Sequence, residues 1–135
     1  MGTATLEAAP AGVKIVLQAA KLPPGQHGFH IHAVGKCEPP DFASAGNHFN
    51  PQGKKHGREN PEGSHAGDLP DLVVGPDGTA QAEVMAAYVS LEPTGANSLF
   101  QPDGTALVIH ANPDDQKTDP AGNAGARIAC GVIPK

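Results

Sequence analysis

The sequence predicts an all-β fold, an antiparallel sandwich or flattened barrel of about seven short strands. Short apolar segments recur along the 135 residues and are separated by turns rich in the 17 glycines and 14 prolines. No twelve-residue stretch sustains the 3.6-residue period of an amphipathic helix. Many short strands separated by turn signals usually pack as a sandwich or barrel. A chain of this length suits one domain, which we place at residues 1–135.

The first three strands are predicted near the amino terminus. Residues 3–9 and 13–20 form a hairpin about the turn at 10–12. In the second of these strands Val13, Ile15 and Leu17 alternate with other side chains, which is the period of a half-buried strand. The third strand, 28–33, reads GFHIHA.

A long segment without a regular period follows the third strand. Residues 34–70 are crowded with Gly, Pro, Asn and His and show neither a helical nor a strand period. A structureless loop of this length is uncommon in a compact domain. We therefore expect a metal or a disulfide to order it.

The remaining strands lie in the second half of the chain. Residues 71–74 and 79–86 are expected to form a second hairpin about the turn at 75–78. A strand at 106–111 (ALVIHA) follows the Asp103-Gly104 turn. A Pro, Asp and Gly-rich loop leads to the last strand, 127–133 (RIACGVI).

Charge and hydropathy argue against two classes of partner. The formal net charge is −5, so the chain offers no basic patch for nucleic acid and no cationic face for a membrane surface. No apolar stretch approaches the roughly 20 residues that span a bilayer, and no basic segment followed by an apolar one opens the chain. We expect no membrane insertion and, if the protein is exported, a signal segment already absent from this chain.

The two cysteines, Cys37 and Cys130, lie far apart and do not form a CxxC motif. One long-range disulfide is the simplest interpretation, and two unrelated buried thiols are the alternative. A disulfide that closes so long a loop could stabilise the fold by roughly 4–5 kcal/mol, and such bonds persist in oxidising compartments.

Seven histidines are an excess for this length, and most of them have ligand-like spacing. His30 and His32 leave the same face of a strand and can converge on one ion, although such pairs also occur in cores and on surfaces. Three imidazoles and one carboxylate in the long loop can saturate a tetrahedral zinc ion: His48, His56, His65 and Asp68. A closed set of four indicates a structural zinc site. The alternative is a polar loop with scattered histidines.

Five segments in order resemble the copper,zinc superoxide dismutases over nearly the whole chain: GFHIHAVGKC, SAGNHFNPQGKKHG, SHAGDLPDL, LVIHANPDD and GNAGARIACGVI. The resemblance implies an eight-stranded, immunoglobulin-like Greek-key β-barrel that converts superoxide anion to oxygen and hydrogen peroxide. It assigns four histidines to copper: His30, His32, His48 and His110. It assigns His48, His56, His65 and Asp68 to zinc, so that His48 bridges the two ions as an imidazolate.

The resemblance also implies supporting residues. Arg127 would draw superoxide to copper, Asp114 would accept hydrogen bonds from His30 and His56, and Cys37 would pair with Cys130. His27, which lies outside both metal sets, is expected to hydrogen-bond to backbone at the entrance of its strand. An extracytoplasmic location and a monomer or homodimer follow as expectations.

The chain departs from the family at its start, because it begins where the second strand is expected. The usual first strand is therefore missing, and we expect an uncovered strand edge. A metal-binding or copper-handling protein of this fold with little catalysis is the alternative function. A zinc hydrolase is disfavoured, because hydrolysis needs an open coordination position.

Overall fold

Antiparallel strands make up nearly all the regular structure of the computed structural model, which describes residues 2–119 and 121–133. The eight strands are β1 Gly2–Ala9, β2 Gly12–Ala19, β3 Gly25–His27, β4 Phe29–His32, β5 Leu72–Val74, β6 Ala80–Ala86, β7 Thr105–His110 and β8 Arg127–Ile133. One 3-10 turn, Ala43–Ala45, lies in the long loop. Within the described ranges no helix is long and apolar enough to cross a membrane.

The strands form three small sheets. Their orders are β1-β2-β6, β3-β5 and β4-β7-β8, and all the pairs are antiparallel. The predicted all-β class is confirmed. The first hairpin is also confirmed, with Leu6 opposite Ile15 in its ladder.

The apolar core lies between the sheets and is built by alternation along the strands. Phe29 and Ile31 of β4 point into it, as do the side chains opposite them on β7. The side chains of His30 and His32 point from the other face of β4, which the long loops cover. Both faces of this strand are therefore buried. Strand residues that fill the core include Val13, Ile15, Leu17, Phe29, Ile31, Leu72, Val74, Leu107 and Ile109.

The structure has eight strands where about seven are predicted, because the chain changes sheet at Gly28. Strand β3 pairs with β5, whereas β4 pairs with β7. Between them, Gly28 donates its N–H to Asn112 O, and its carbonyl accepts the N–H of His110. The expected role of His27 is seen at this point, since its ring contacts the carbonyl oxygens of Pro23 and His110 at 2.6 and 2.8 Å.

The prediction that residues 71–74 and 79–86 pair with each other as a hairpin is wrong. The turn exists, with the Gly75 N–H donating to Thr79 O, but β5 pairs with β3 and β6 pairs with β2. The two strands therefore enter different sheets after a tight turn. Local turn chemistry predicts the reversal of the chain but not the long-range partner of each strand.

Two strand edges face each other across an apolar groove. Strands β1 and β8 each end a sheet among the described residues. The groove between them is lined by apolar side chains that include Leu17, Phe29, Leu107 and Ile128.

The long loop is ordered along the free edge of β4. Ile31 donates its N–H to Gly67 O and accepts the N–H of Phe49, so two loop segments run beside the strand. A Cβ atom at Gly67 would collide with Ile31 O, which makes glycine necessary for this approach. Isolated bridges place His48 beside His32, and Asp68 beside His30. Backbone pairing thus brings loop histidines and strand histidines together.

Candidate metal centre

Four histidines from three parts of the chain converge on the loop-covered face of the sheet. His30 and His32 come from β4, His110 ends β7, and His48 comes from the loop segment that pairs with β4. One ring nitrogen from each lies within 4.8 Å of the others, and all four side chains are buried. The structure therefore brings together the whole set that the resemblance assigns to copper.

The ring nitrogens of these histidines divide into an inner and an outer group. The inner nitrogens are buried and have no hydrogen-bond partner in the described part of the chain: His30 Nδ1, His32 Nε2, His48 Nε2 and His110 Nε2. Three outer nitrogens are held, because His30 Nε2 donates to Asp114 at 2.5 Å, His32 Nδ1 to Gly46 O at 2.8 Å and His110 Nδ1 to Gly125 O at 3.2 Å. A proton on the outer nitrogen leaves a lone pair on the inner one, as metal-ligating histidines require.

A second group surrounds one oxygen of Asp68. Its Oδ1 lies 2.9 Å from His56 Nδ1, 3.2 Å from His48 Nδ1 and 3.4 Å from His65 Nδ1. The donor set of three imidazoles and one carboxylate suits zinc.

One four-residue set at Asp68, whose ligand atoms lie within 4.8 Å of one another, contains His30 and not His65. However, His30 Nε2 is hydrogen-bonded to Asp114, whereas His65 Nδ1 lies 3.2 Å from His48 Nδ1 and 3.4 Å from Asp68 Oδ1. His65 therefore contacts the second group, and its role as a ligand stays a prediction.

His48 belongs to both groups through different nitrogens. Its Nε2 is one of the four unpartnered inner atoms, and its Nδ1 faces Asp68 and His65. The ring therefore presents one nitrogen to each group.

Asp114 ties the two groups together, in the place that the resemblance predicts. Its carboxylate accepts from His30 Nε2 and, at 2.9 Å, from His56 Nε2. Gly122 closes over this carboxylate at φ +66°, and a Cβ atom there would overlap it. Burial alone would raise the pKa of Asp114, but the hydrogen bonds from the two histidines outweigh it and hold the pKa below its ordinary value.

Burial keeps the first group neutral. It lowers the pKa of His30 to about 3, of His32 to about 2 and of His110 to about 4. The pKa of His56 shifts in the opposite direction. Burial lowers this pKa, but the hydrogen bonds to Asp114 and Asp68 have the larger effect and raise it to about 9. A neutral imidazole is the form that binds a metal, so the first group is ready to bind one at neutral pH.

These shifts predict how the metal-free protein responds to acid. His30 and His110 have folded-state pKa values below the ordinary 6.5, so the unfolded chain binds protons that the folded chain excludes. We expect the free energy of unfolding to fall as pH drops from about 6.5 towards 4, by on the order of 3 kcal/mol for each of these two histidines.

Urea unfolding in the presence of a chelator at pH 7, 5.5 and 4 measures this fall. His56 has the opposite sign, since its contribution is complete below 6.5 and is lost as pH rises through about 9. Equal unfolding free energies at pH 7 and pH 4 would contradict the expected burial of neutral imidazoles.

Arg127 and the disulfide lie beside the first group. Cys37 and Cys130 form a disulfide, so the alternative of two unrelated thiols is wrong. Arg127 Nη1 donates to Phe42 O at 2.9 Å. Its charge is among the lesser causes, after burial, that lower the pKa of His32 and His110.

Two carboxylates beside these groups are not indicated by the sequence. Asp71 Oδ1 accepts the backbone N–H of Asp114, and Asp119 Oδ1 accepts that of His56. Asp71 begins a predicted strand and Asp119 lies in a loop, and neither has a ligand-like spacing. Only their proximity in the folded chain reveals them.

Comparison with known proteins finds a matching sequence family. The family profile of copper/zinc superoxide dismutase (SODC) matches residues 1–133. "Superoxide dismutase [Cu-Zn] 1" of Aquifex aeolicus is 54% identical over 134 residues, which are 98% of this chain and 79% of that protein.

Solved structures show the same fold. A "SOD-like protein" from Bacillus subtilis superposes with a TM-score of 0.95 at 43% identity, over 98% of this chain and 89% of the other. The Cu/Zn superoxide dismutase from Brucella abortus superposes with a TM-score of 0.78 at 34% identity, over 98% and 88%.

Proposed function

The chain belongs to the copper/zinc superoxide dismutase family, and on that premise we propose that it dismutates superoxide. Two superoxide anions and two protons give one oxygen molecule and one hydrogen peroxide molecule. The family uses copper and zinc, and the two histidine groups are able to hold metals. One observation carries the proposal: four buried, unpartnered ring nitrogens converge within 4.8 Å.

The copper ligands are His30, His32, His48 and His110. Nitrogen donors of this kind suit copper in both oxidation states, and bound copper supplies one-electron exchange with superoxide. The protein holds the outer nitrogens with Asp114 and two backbone carbonyls, which sets each ring's tautomer and orientation.

His48 is the proton donor. Its Nδ1 is held beside Asp68 and His65, while its Nε2 faces the first group without a partner among the described side chains. Nε2 takes up a proton in one half of the cycle and donates it to the departing peroxide in the other. The set His48, His56, His65 and Asp68 would hold zinc, which cannot change oxidation state and would therefore act only through its charge and the geometry that it imposes on these side chains.

Arg127 guides the substrate. A planar, permanently charged guanidinium suits the docking of a small anion, and a local positive field can concentrate an anion even on a protein whose net charge is −5. We expect kcat/KM to fall as ionic strength rises. Arg127→Ala should lower kcat/KM at low salt by about 10-fold and flatten the salt dependence.

Arg58→Ala is the matched control for this prediction, because it removes the same charge from an exposed position in the loop 34–70. Pulse-radiolysis rates at several salt concentrations measure both variants. A flat or rising profile in the unaltered protein would rule out attractive steering.

The alternative function is metal binding or copper handling with little catalysis, and the name of the "SOD-like" relative keeps it open. Metal analysis paired with a superoxide-consumption assay separates the two functions. Equimolar copper and zinc with rapid dismutation supports the enzyme, whereas bound copper without turnover supports the alternative. The Cys37–Cys130 disulfide favours an extracytoplasmic location, since such bonds persist in oxidising compartments.

A further inference from the structure

Asp119 touches the second histidine group from outside the ligand set. Its Oδ1 accepts the backbone N–H of His56 at 2.8 Å and lies 3.9 Å from His65 Nε2. His65 Nδ1, on the other side of the same ring, faces Asp68 and His48. The Asp119 carboxylate thus lies near both His56 and His65, on the side of these residues that faces away from Asp68.

The two contacts act on different features of the group. The hydrogen bond to the His56 N–H fixes the backbone that carries this ring and links the segment 56–60 to the loop 112–125. Other bonds make the same link, with the Glu59 N–H donating to Gln116 O and Asn60 Nδ2 donating to Lys117 O. The His56 backbone is held from both sides, because its N–H donates to Asp119 of the other loop while its carbonyl accepts from Asn60 Nδ2 of its own segment.

The approach to His65 concerns the position of a proton. A carboxylate beside Nε2 favours the tautomer with hydrogen on Nε2, which leaves the Nδ1 lone pair free towards the group's centre. Such outer partners commonly raise metal affinity about 10–100-fold. The exposed fraction of the Asp119 side chain is 47%, so its charge is partly screened, whereas that of the His65 side chain is only 7%.

We propose that Asp119 is a positioning residue for zinc, which holds the His56 backbone by a hydrogen bond and, through its charge 3.9 Å from Nε2, favours the His65 tautomer with hydrogen on Nε2. The inference rests on the proposed zinc assignment and adds a residue to it. The consequence is selective, because Asp119 contacts two zinc-group residues while the outer nitrogens of His30, His32 and His110 are held by other groups.

The test compares Asp119→Ala with Asp119→Asn in the full chain. Alanine removes both contacts, whereas asparagine keeps an acceptor for the His56 N–H and loses the charge. Chelator competition with zinc alone should show about a 10-fold weaker affinity for the alanine variant and a smaller loss for asparagine. Copper affinity should change less than about 3-fold, since Asp119 contacts none of the histidines unique to that group.

A spectroscopic readout separates positioning from a general loss of stability. Co²⁺ bound in place of zinc should show a shifted visible absorption band in Asp119→Ala and a smaller shift in Asp119→Asn. Glu59→Gln is the matched control, because it removes a carboxylate that pairs with Lys117 on the same two loops without touching a histidine. It should leave the zinc affinity and the Co²⁺ band unchanged.

Two results would overturn the inference and spare the proposed function. One is an unchanged zinc affinity in Asp119→Ala, and the other is an equal loss of zinc and copper affinity. If the unaltered protein bound no zinc at His56, His65 and Asp68, the zinc assignment and this inference would both fail.

Discussion

His110→Ala should abolish most of the superoxide-consuming activity while leaving zinc bound. His110 supplies one of the four unpartnered inner nitrogens and has no contact with Asp68, His56 or His65. Even the outer partners of metal ligands are worth about 10–100-fold in affinity or activity, so loss of a ligand should lower activity at least about 100-fold. Copper per chain should fall far more than zinc per chain.

His65→Ala provides the matched comparison, because it removes a histidine from the second group only. This variant should lose zinc in preference to copper, the reverse of His110→Ala. Metal analysis after dialysis, with circular dichroism to verify folding, measures both variants. An equal loss of both metals in either variant would refute the division of ligands between the two groups.

Replacement of both cysteines by serine should give the largest loss of stability. The Cys37–Cys130 bond closes a loop with a sequence separation of 93 residues. In the chain-entropy model a loop of this length is worth about 4–5 kcal/mol, because the unfolded chain regains the freedom that the cross-link removes. We expect a comparable decrease in the free energy of unfolding and a fall in Tm of about 15 °C.

The same substitution should have a local effect near Arg127. Cys37 and Cys130 pack against a small buried cluster of Ala45, Ala106 and Val108, which joins the loop to the outer face of the sheet. Arg127 Nη1 donates a hydrogen bond to the backbone carbonyl of Phe42, which lies in that loop. Without the disulfide, kcat/KM should fall more than copper content does, because the loop that positions the guanidinium is loosened.

Urea unfolding of the metal-free proteins, with and without the cysteines, isolates the disulfide from metal binding. The protein without the cysteines should show the larger m-value, because its unfolded chain is less compact and exposes more surface. A difference in unfolding free energy below about 1 kcal/mol would contradict the entropic estimate.

The strand that carries His30 and His32 is predictable because its signal is local. Alternation alone puts Phe29 and Ile31 on one face and the two histidines on the other, and the structure has this arrangement. The ligand types in the long loop are equally visible in the sequence. Motif order then identifies the family, since five matching segments in sequence carry far more information than any single spacing.

Strand pairing is harder to predict from the sequence. The turn at 75–78 suggests a hairpin, yet β5 joins β3 and β6 joins β2. A turn constrains only the residues within it, whereas the pairing partner depends on how distant segments cover the core. The break at Gly28 is similar, because it reflects backbone bonds to Asn112 and His110 more than 80 residues away.

By itself, the sequence determined the fold class, the donor atoms and the family, because these follow from local periodicity, residue chemistry and motif order. Only the tertiary structure decided which ring nitrogens face inward, that Asp68 Oδ1 contacts three histidines, and that Asp119 contacts two of these three. The physical reason is distance along the chain. Hydrogen bonds and tautomers are set by groups that meet only after the loops 34–70 and 112–125 close over the sheet.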